Sequence, residues 1–161
     1  MKKYMYMLTC VAISFILLVG CRKEDDSYKI SDMELTTYET VNNFTDVSMT
    51  IKEETVSTTG LTVVFENNSD NRGIYGEFFS LEEKINNKWY QVPVTIDGYY
   101  GFNDIGYNLI SGENEEFKVD WEWLYGSLNT GEYRIVKDIL DFRNTGDFDR
   151  YYLAAEFTIL N

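Results

Sequence analysis

The sequence predicts an all-β protein, a two-sheet antiparallel sandwich, and three observations support this. Apolar and polar residues alternate in most segments after residue 46, helical period never lasts more than one turn, and turns rich in Asn, Gly, Asp and Ser separate the segments. Period two is typical of half-buried strands, and short connections make neighbouring strands antiparallel. We expect about seven strands. A small closed barrel remains the alternative, because strand count does not separate the two architectures.

The first strands are indicated by alternation and by turn residues. The segments VSMTI (47–51) and LTVVF (61–65) each place every second residue on one apolar face. The next two segments, GEFFSLEEKI and KWYQVPV, flank Asn86 and Asn87. This pair predicts a tight two-residue hairpin, because Asn tolerates positive φ. Pro93 then fits a strand end or an edge, since proline cannot donate to a strand ladder.

The later segments complete the predicted sandwich. YNLISGENEEFKVDWEW (107–123) indicates a strand, a turn and a second strand, with Trp121 and Trp123 on one face and packed in the core. GEYRIVKDI (131–139) and YYLAAEFTIL (151–160) supply the last strands. The best helical candidate, WEWLYGSL, is predicted to form no more than a short turn.

Length and charge narrow the class of protein. The 161 residues favour a single domain, and an aromatic content of 16% argues against wholesale disorder. There are 14 basic residues, 27 acidic residues and no histidine. Phosphates would repel so acidic a domain, so we expect no nucleic-acid partner. We expect a monomer.

Residues 1–20 have the features of a signal peptide. Lys2 and Lys3 precede a twelve-residue apolar run, residues 8–19. This run is too short to span a bilayer as a helix, which needs about 20 residues, but it is typical of the apolar part of a signal peptide. The first twenty residues therefore carry processing information.

The end of this segment resembles the lipobox of bacterial lipoproteins, with Leu18, Val19 and Gly20 followed by Cys21. The resemblance implies that a diacylglyceryl group is attached to the Cys21 thiol and that the chain is cut just before it. Two acyl chains on one residue give durable anchoring. We therefore expect a protein anchored through this lipid to the extracytoplasmic face of the cell membrane, with no other cofactor. An ordinary secretory signal with a chance cysteine is the alternative.

Cleavage before Cys21 would remove Cys10, so no disulfide could form within the mature chain. Loss of Lys2 and Lys3 would change the formal net charge from −13 to −15. The charged residues after Cys21 resemble a surface-export signal, but charged runs are usually solvated tethers, and we favour that interpretation. We predict this organisation: a signal peptide at 1–20, a lipidated N-terminus and flexible linker at 21–45 with at most a short strand near 33–38, and one domain at 46–161.

Three stretches of the domain carry a family resemblance: YGEFFSLEEKINNKWYQVP (75–93), FNDIGYNLISGE (102–113) and VDWEWLYGSLNTGEYRIVK (119–137). Together they resemble a family of bacterial immunoglobulin-like domains found in lipoproteins and other exported proteins, mainly of Gram-positive bacteria. The resemblance spans about residues 46–159. It implies an immunoglobulin-like β-sandwich and provides no catalytic residues, and fold alone does not settle function.

One part of the resemblance has a physical interpretation. Tyr133, in the segment GEYRI, has the spacing of a tyrosine corner, in which a buried tyrosine hydroxyl bonds back to the upstream backbone. Ile135 then takes the place where antibody domains have their second cysteine, which agrees with a mature chain that has no disulfide. The alternative is that Tyr133 is an ordinary strand aromatic.

The sequence contains few of the residues and motifs that enzymes use for catalysis. It lacks histidine, the commonest general base and a common metal ligand, and it contains no nucleophile-elbow, dinucleotide-binding or phosphate-loop motif. Acidic and amide residues cluster at 66–71, 111–116 and 144–149, but turn chemistry explains them and none has the spacing of a calcium-binding loop. We expect no catalytic activity and no metal site.

A glycine-rich aromatic segment is the best candidate for ligand contact. DGYYGF (97–102) is predicted to be a loop and contains Tyr99, Tyr100 and Phe102. Tyrosines on a rigid scaffold make contacts at low entropic cost, but such a loop can also fold back on the sandwich. We expect a non-enzymatic binding or display module with a protein or glycan ligand. A regulatory lipoprotein that senses or inhibits an envelope enzyme or receptor, and a spacer without a ligand, remain alternatives.

Overall fold

The computed structural model describes residues 33–160, which form two antiparallel β-sheets packed face to face. The strands are β1 (Val47–Ile51), β2 (Gly60–Asn67), β3 (Arg72–Tyr75), β4 (Ser80–Ile85), β5 (Lys88–Gln91), β6 (Tyr107–Leu109), β7 (Asn114–Asp120), β8 (Gly131–Asn144) and β9 (Asp147–Ile159). A short helix, α1 (Glu122–Tyr125), follows β7, and a 3-10 turn (Glu53–Thr55) follows β1. The predicted fold class is confirmed. The described residues contain nine strands rather than about seven, because three- and four-residue strands leave no sustained alternation.

The smaller sheet has the order β1-β2-β7, and the larger sheet contains β5, β4, β8, β3 and β6 with β9 on the other side of β8. The core lies between the sheets and is rich in aromatic rings. Phe65 of β2 contacts Tyr75 of β3 at a ring-centroid distance of 4.3 Å. Trp121, which is fully buried, stacks on Phe157 of β9 at 5.5 Å. These contacts fasten one sheet to the other.

The β4–β5 hairpin confirms the turn predicted from Asn86 and Asn87. Both residues have positive φ, 51° and 61°, as a two-residue hairpin turn requires. The β8–β9 hairpin is longer than its sequence pattern suggests, since its pairing runs from Gly131 opposite Ile159 to Asn144 opposite Asp147. Charged residues near its tip hide the alternation there.

A break separates β3 from β4, although both strands pair with the same edge of β8. β9 pairs along the whole of β8, which leaves one free edge of β8 for β3 and β4 together. Tyr75 pairs with Ile139, and Ser80 pairs with Val136. Residues 76–79 therefore face only two residues of β8. Such a bulge re-aims side chains, and we call residues 76–79 the break.

Residues 33–43, which we call the strap, lie against the larger sheet. Leu35 bridges to Tyr90 of β5, and the backbone of Gln91 donates to Glu34 at 2.7 Å. At the other end, the Asn42 side chain accepts from the Ala154 amide and donates to its carbonyl.

The expected linker is thus wrong for residues 33–45, which belong to the folded unit. The physical reason is that residues 33–45 satisfy sheet-edge backbone groups and bury Met33 and Phe44, although their sequence has no period. The short strand expected near 33–38 is a single bridge. The expectations on residues 1–32, including Leu18, Val19, Gly20 and Cys21, lie outside the described residues.

Trp121 and Trp123 differ from the prediction that both pack in the core. β7 ends at Asp120, and the chain turns into α1. Successive helical residues point about 100° apart, so the two tryptophans leave a shared face. Trp121 is buried, whereas Trp123 is 45% exposed. The described residues include no helix with the length and apolar character needed to cross a membrane.

Candidate functional site

Loop 92–106 joins β5 to β6 without regular secondary structure. Its base is fixed by two backbone hydrogen bonds, from Val92 to the Leu81 carbonyl and from Thr95 to the Leu124 carbonyl, each 2.9 Å long. Loops of this length in compact domains are uncommon and are often functional. The segment 97–102 is a loop, as predicted.

The three aromatic residues singled out in this loop have different environments. Tyr99 is fully exposed, and Tyr100 is 48% exposed. Phe102 is partly buried and packs against the core. Its ring lies 5.4 Å from that of Phe78, and the Tyr100 ring lies 6.4 Å from that of Trp123. The loop therefore presents two tyrosines outward on an aromatic base.

A cleft of about 550 Å³ lies between this loop, the strap and strand β4. Six aromatic residues line it: Tyr38, Phe78, Phe79, Tyr100, Phe102 and Tyr125. The polar side chains of its lining include Glu34, Thr37, Ser80 and Gln91. This size and this mixture of aromatic and polar groups are typical of a small-molecule site. We call it the aromatic cleft.

A second cavity of about 540 Å³ lies on the other side of Phe78 and Phe102, which line both. Its lining contains Glu77, whose carboxylate accepts from Asn103 Nδ2 at 2.7 Å and from the Tyr107 hydroxyl at 3.0 Å. The hydrogen bond to Glu77 raises the pKa of Tyr107. We call the pair Phe78 and Phe102 the ridge, because it divides the two cavities.

Lys137 holds the break, residues 76–79, which contains Phe78 of the ridge. Its Nζ donates to the backbone carbonyls of Gly76 and Phe78, each at 2.8 Å, and lies 4.5 Å from the centre of the Phe117 ring. The side chain is fully buried, and burial lowers its pKa to about 8. These bonds satisfy two carbonyls that no strand partner can reach at the bulge.

The hydroxyl groups on the strap side of the aromatic cleft stay protonated at neutral pH. The hydroxyls of Tyr38 and Ser80 form a hydrogen bond of 2.8 Å. Burial raises the pKa of Tyr38, and it raises the pKa of Tyr125 to about 12. Both tyrosines are therefore neutral, and the hydroxyl pair of Tyr38 and Ser80 gives the cleft a polar edge.

Tyr133 has the geometry expected of a tyrosine corner. It is fully buried, and its hydroxyl donates to the Asn129 carbonyl, four residues upstream, at 3.0 Å. Its ring stacks on that of Phe157 in β9 at a centroid distance of 5.7 Å. Tyr133 thus ties the start of β8 to the turn before it and has a structural position.

The acidic turn segments serve the fold. The buried Asn67 side chain donates to the Leu109 carbonyl at 3.0 Å and accepts from Ser69. Arg143 forms ion pairs with Asp147 at 2.8 Å and Asp149 at 3.0 Å. Within residues 33–160, no group of three or more Asp, Glu, His or Cys side chains is arranged to hold a metal ion.

Sequence reasoning identified the loop part of the site and missed the rest. Phe78, Trp123, Tyr38 and Tyr125 come from three other segments, and only the fold brings them to the loop. One signal was present in GEFFSL: two adjacent phenylalanines interrupt the alternation, as a bulge does.

Two antiparallel sheets packed face to face, with a buried tyrosine bonded to the backbone four residues upstream, are typical of an immunoglobulin-like sandwich. Residues 43–158 match the bacterial Ig-like domain family, and the chain belongs to that family. No curated protein and no solved structure matches the chain significantly. Bacterial Ig-like domains are typically extracellular, non-catalytic binding or display modules.

Proposed function

We propose that the protein is a lipid-anchored, non-enzymatic binding module on the extracytoplasmic face of the cell membrane, and that the aromatic cleft is its ligand site. The observation that carries the proposal is the exposure of Tyr99 and Tyr100 on a fixed loop beside a cleft of about 550 Å³. Tyrosine side chains have few rotatable bonds, so they lose little conformational entropy when they contact a ligand.

The proposed anchor agrees with the position of the cleft. Glu34, at the beginning of the strap, is part of the cleft lining. A chain gains at most about 3.6 Å per residue, so residues 22–32 would hold the strap within about 40 Å of a lipidated Cys21. The ligand would therefore be bound close to the membrane surface.

The polar groups of the aromatic cleft suit the orientation of a ligand. The sequence contains no histidine, and the polar lining of the aromatic cleft consists of hydroxyl, amide and single carboxylate groups. Such a set can orient a ligand by hydrogen bonds, but it does not pair a nucleophile with a base.

The anchor is tested by the intact mass of the membrane-extracted protein and of a Cys21→Ala variant. We expect a diacylglyceryl mass on a chain that begins at Cys21, and loss of both the lipid and membrane retention in the variant. A variant that stays in the membrane fraction, with no lipid mass on the wild type, would contradict the anchor.

The ligand site is tested separately with soluble residues 22–161, which contain the whole described fold. Binding of this domain to an envelope fraction from the producing bacterium is compared for wild type and a Tyr99→Ser/Tyr100→Ser variant. Phe148→Ser is the matched control, because Phe148 is 44% exposed on β9 and does not line the cleft. We expect at least tenfold weaker binding for the tyrosine variant and no change for the control. Equal binding by all three would reject the site.

A further inference from the structure

We infer that the aromatic cleft binds a small ligand through a substituted ammonium group. This inference rests on the proposed function, because it names the chemistry of the same site. Two features of the described residues lead to it: the orientation of the aromatic rings and the charge of the cleft lining.

The rings of the cleft that contact Phe102 meet it edge to face, so the ring faces of the lining point in different directions. Phe102 lies at 78° to Phe78 and at 68° to Phe79. Trp123, which lies outside the cleft lining, contacts Phe102 at 74° and Tyr100 at 71° and so supports these two rings. A flat sugar ring stacks best on a coplanar platform, which these angles do not provide. A compact cation can instead contact several ring faces at once.

The charge of the cleft suits a cation. Its lining contains the Glu34 carboxylate and neither lysine nor arginine. The chain's own cations contact other rings, such as Lys137 at Phe117 and Arg134 at Trp89. The negative net charge of the protein also raises the local concentration of cations, which favours capture of a positively charged ligand.

A buried carboxylate lies behind the wall of the cleft. Glu82 is fully buried, and its charge contributes to the raised pKa of both Tyr38 and Tyr125, which line the cleft. Its Oε2 accepts from Arg134, whereas its Oε1 has no hydrogen-bond partner among the described residues. Because Arg134 neutralises most of the Glu82 charge, the Glu34 carboxylate is the group whose negative potential adds to that of the ring faces and disfavours an anionic ligand.

The same ammonium chemistry occurs in free choline-like molecules and in the headgroup of phosphatidylcholine. The soluble domain, residues 22–161, is therefore titrated with choline by calorimetry and by amide NMR. A parallel sedimentation assay uses vesicles of phosphatidylcholine and vesicles of phosphatidylglycerol. Binding to choline together with phosphatidylcholine vesicles identifies an accessible headgroup as the source, and binding to choline alone identifies a free ligand.

The decisive control ligand is 3,3-dimethyl-1-butanol, which has the shape of choline without its charge. We expect choline to shift the amide signals of loop 92–106 and to bind at least tenfold more tightly than this alcohol. Glu34→Gln should weaken choline binding about three- to tenfold. Glu39→Gln, an exposed strap carboxylate outside the cleft lining, should leave it unchanged.

Equal binding of the two ligands, or no choline binding at tens of millimolar, would overturn the inference. If envelope binding by the wild-type domain still depends on Tyr99 and Tyr100 in that case, only the ammonium chemistry is wrong. If envelope binding is also insensitive to these tyrosines, the proposed site is wrong as well.

Discussion

The two faces of strand β8 each bury one cation, and the two cations are held in different ways. Arg134 points to the outer face, where it pairs with Glu82 at 2.6 Å, contacts Thr36 of the strap and stacks on Trp89 at 4.6 Å. Lys137 points to the inner face, where its hydrogen bonds go to two backbone carbonyls. Residues three apart on a strand lie on opposite faces, so one strand serves both regions.

The two cations have different roles: Arg134 stabilises the fold, whereas Lys137 positions residues 76–79. The guanidinium of Arg134 neutralises a buried carboxylate and joins strap to sheet, so its loss should affect stability first. Lys137 has no hydrogen-bonded carboxylate, and its burial is unfavourable enough to lower its pKa to about 8. What Lys137 supplies is the shape of the break, and with it the place of Phe78 in the ridge.

The largest effect is expected from Arg134→Met. This change leaves the fully buried Glu82 without its ion-pair partner, which should lower the free energy of unfolding by about 3–5 kcal/mol. Urea denaturation of residues 22–161 at pH 7 measures it. The double variant Arg134→Met/Glu82→Gln should recover most of the loss, because no unpaired charge remains. Equal losses in the single and double variants would contradict the structural role.

The next largest effect concerns the pH dependence of stability. The folded pKa of Lys137, about 8, lies below its ordinary value of 10.5, so the unfolded chain binds more protons between these pH values and stability rises with pH. We expect a gain of about 2 kcal/mol from pH 7 to 9.5. Above pH 10 stability should fall, because Tyr75 and Tyr125 have raised pKa values, each about 12, and keep their protons in the folded state.

Denaturation of wild type and Lys137→Met across this pH range checks the source of the slope. Asp138 and Glu77 are the charged groups that act on Lys137, and both raise its pKa against the larger effect of burial. The variant should lose the rise between pH 7 and 9.5 and keep the fall above pH 10. If the stability of the variant still rises between pH 7 and 9.5, groups other than Lys137 cause the rise.

A smaller effect is expected from Tyr133→Phe. The change removes the hydroxyl that donates to the Asn129 carbonyl and should lower the free energy of unfolding by about 1–1.5 kcal/mol. Tyr99→Phe is the matched control, since the fully exposed Tyr99 hydroxyl should contribute nothing measurable. If Tyr133→Phe lowers the free energy of unfolding no more than the control does, the hydrogen bond of the tyrosine corner does not stabilise the fold.

The smallest effect on stability is expected from the loop itself. Tyr99→Ser should change the free energy of unfolding by no more than about 0.5 kcal/mol, because the side chain is fully exposed. Thermal denaturation of the soluble domain measures this. A destabilisation above about 1 kcal/mol would show that the tyrosine supports the fold rather than a ligand.

Local features of the sequence sufficed for the sheet and for one hairpin. Alternation predicted the β-sandwich, and Asn86 and Asn87 predicted a turn that the positive φ angles confirm. The strap could not be predicted, since its bonds to Tyr90, Gln91 and Ala154 involve partners far away in sequence. Trp123 was misplaced because a single helical turn after β7 carries no periodic signal.

The site was predictable only in part for the same reason. Glycines and tyrosines in DGYYGF indicate an exposed loop from local composition. The ridge requires the break in β3–β4, and the break requires a lysine that period two places on an apolar face. From the sequence alone, such a lysine is expected to contribute only the aliphatic part of its side chain to the core. Its role becomes visible when the structure shows that its ammonium group donates to the carbonyls of Gly76 and Phe78.

The central claim is that Lys137 shapes the ligand site rather than stabilising the fold, and envelope binding by Lys137→Met tests it most directly. Stability at pH 7 is measured on the same samples. Relief from burying the charge and loss of two hydrogen bonds oppose each other, so we expect a change of no more than about 2 kcal/mol. Binding should fall at least tenfold because Phe78 is no longer held in the ridge. A folded variant that binds as tightly as wild type would contradict the account.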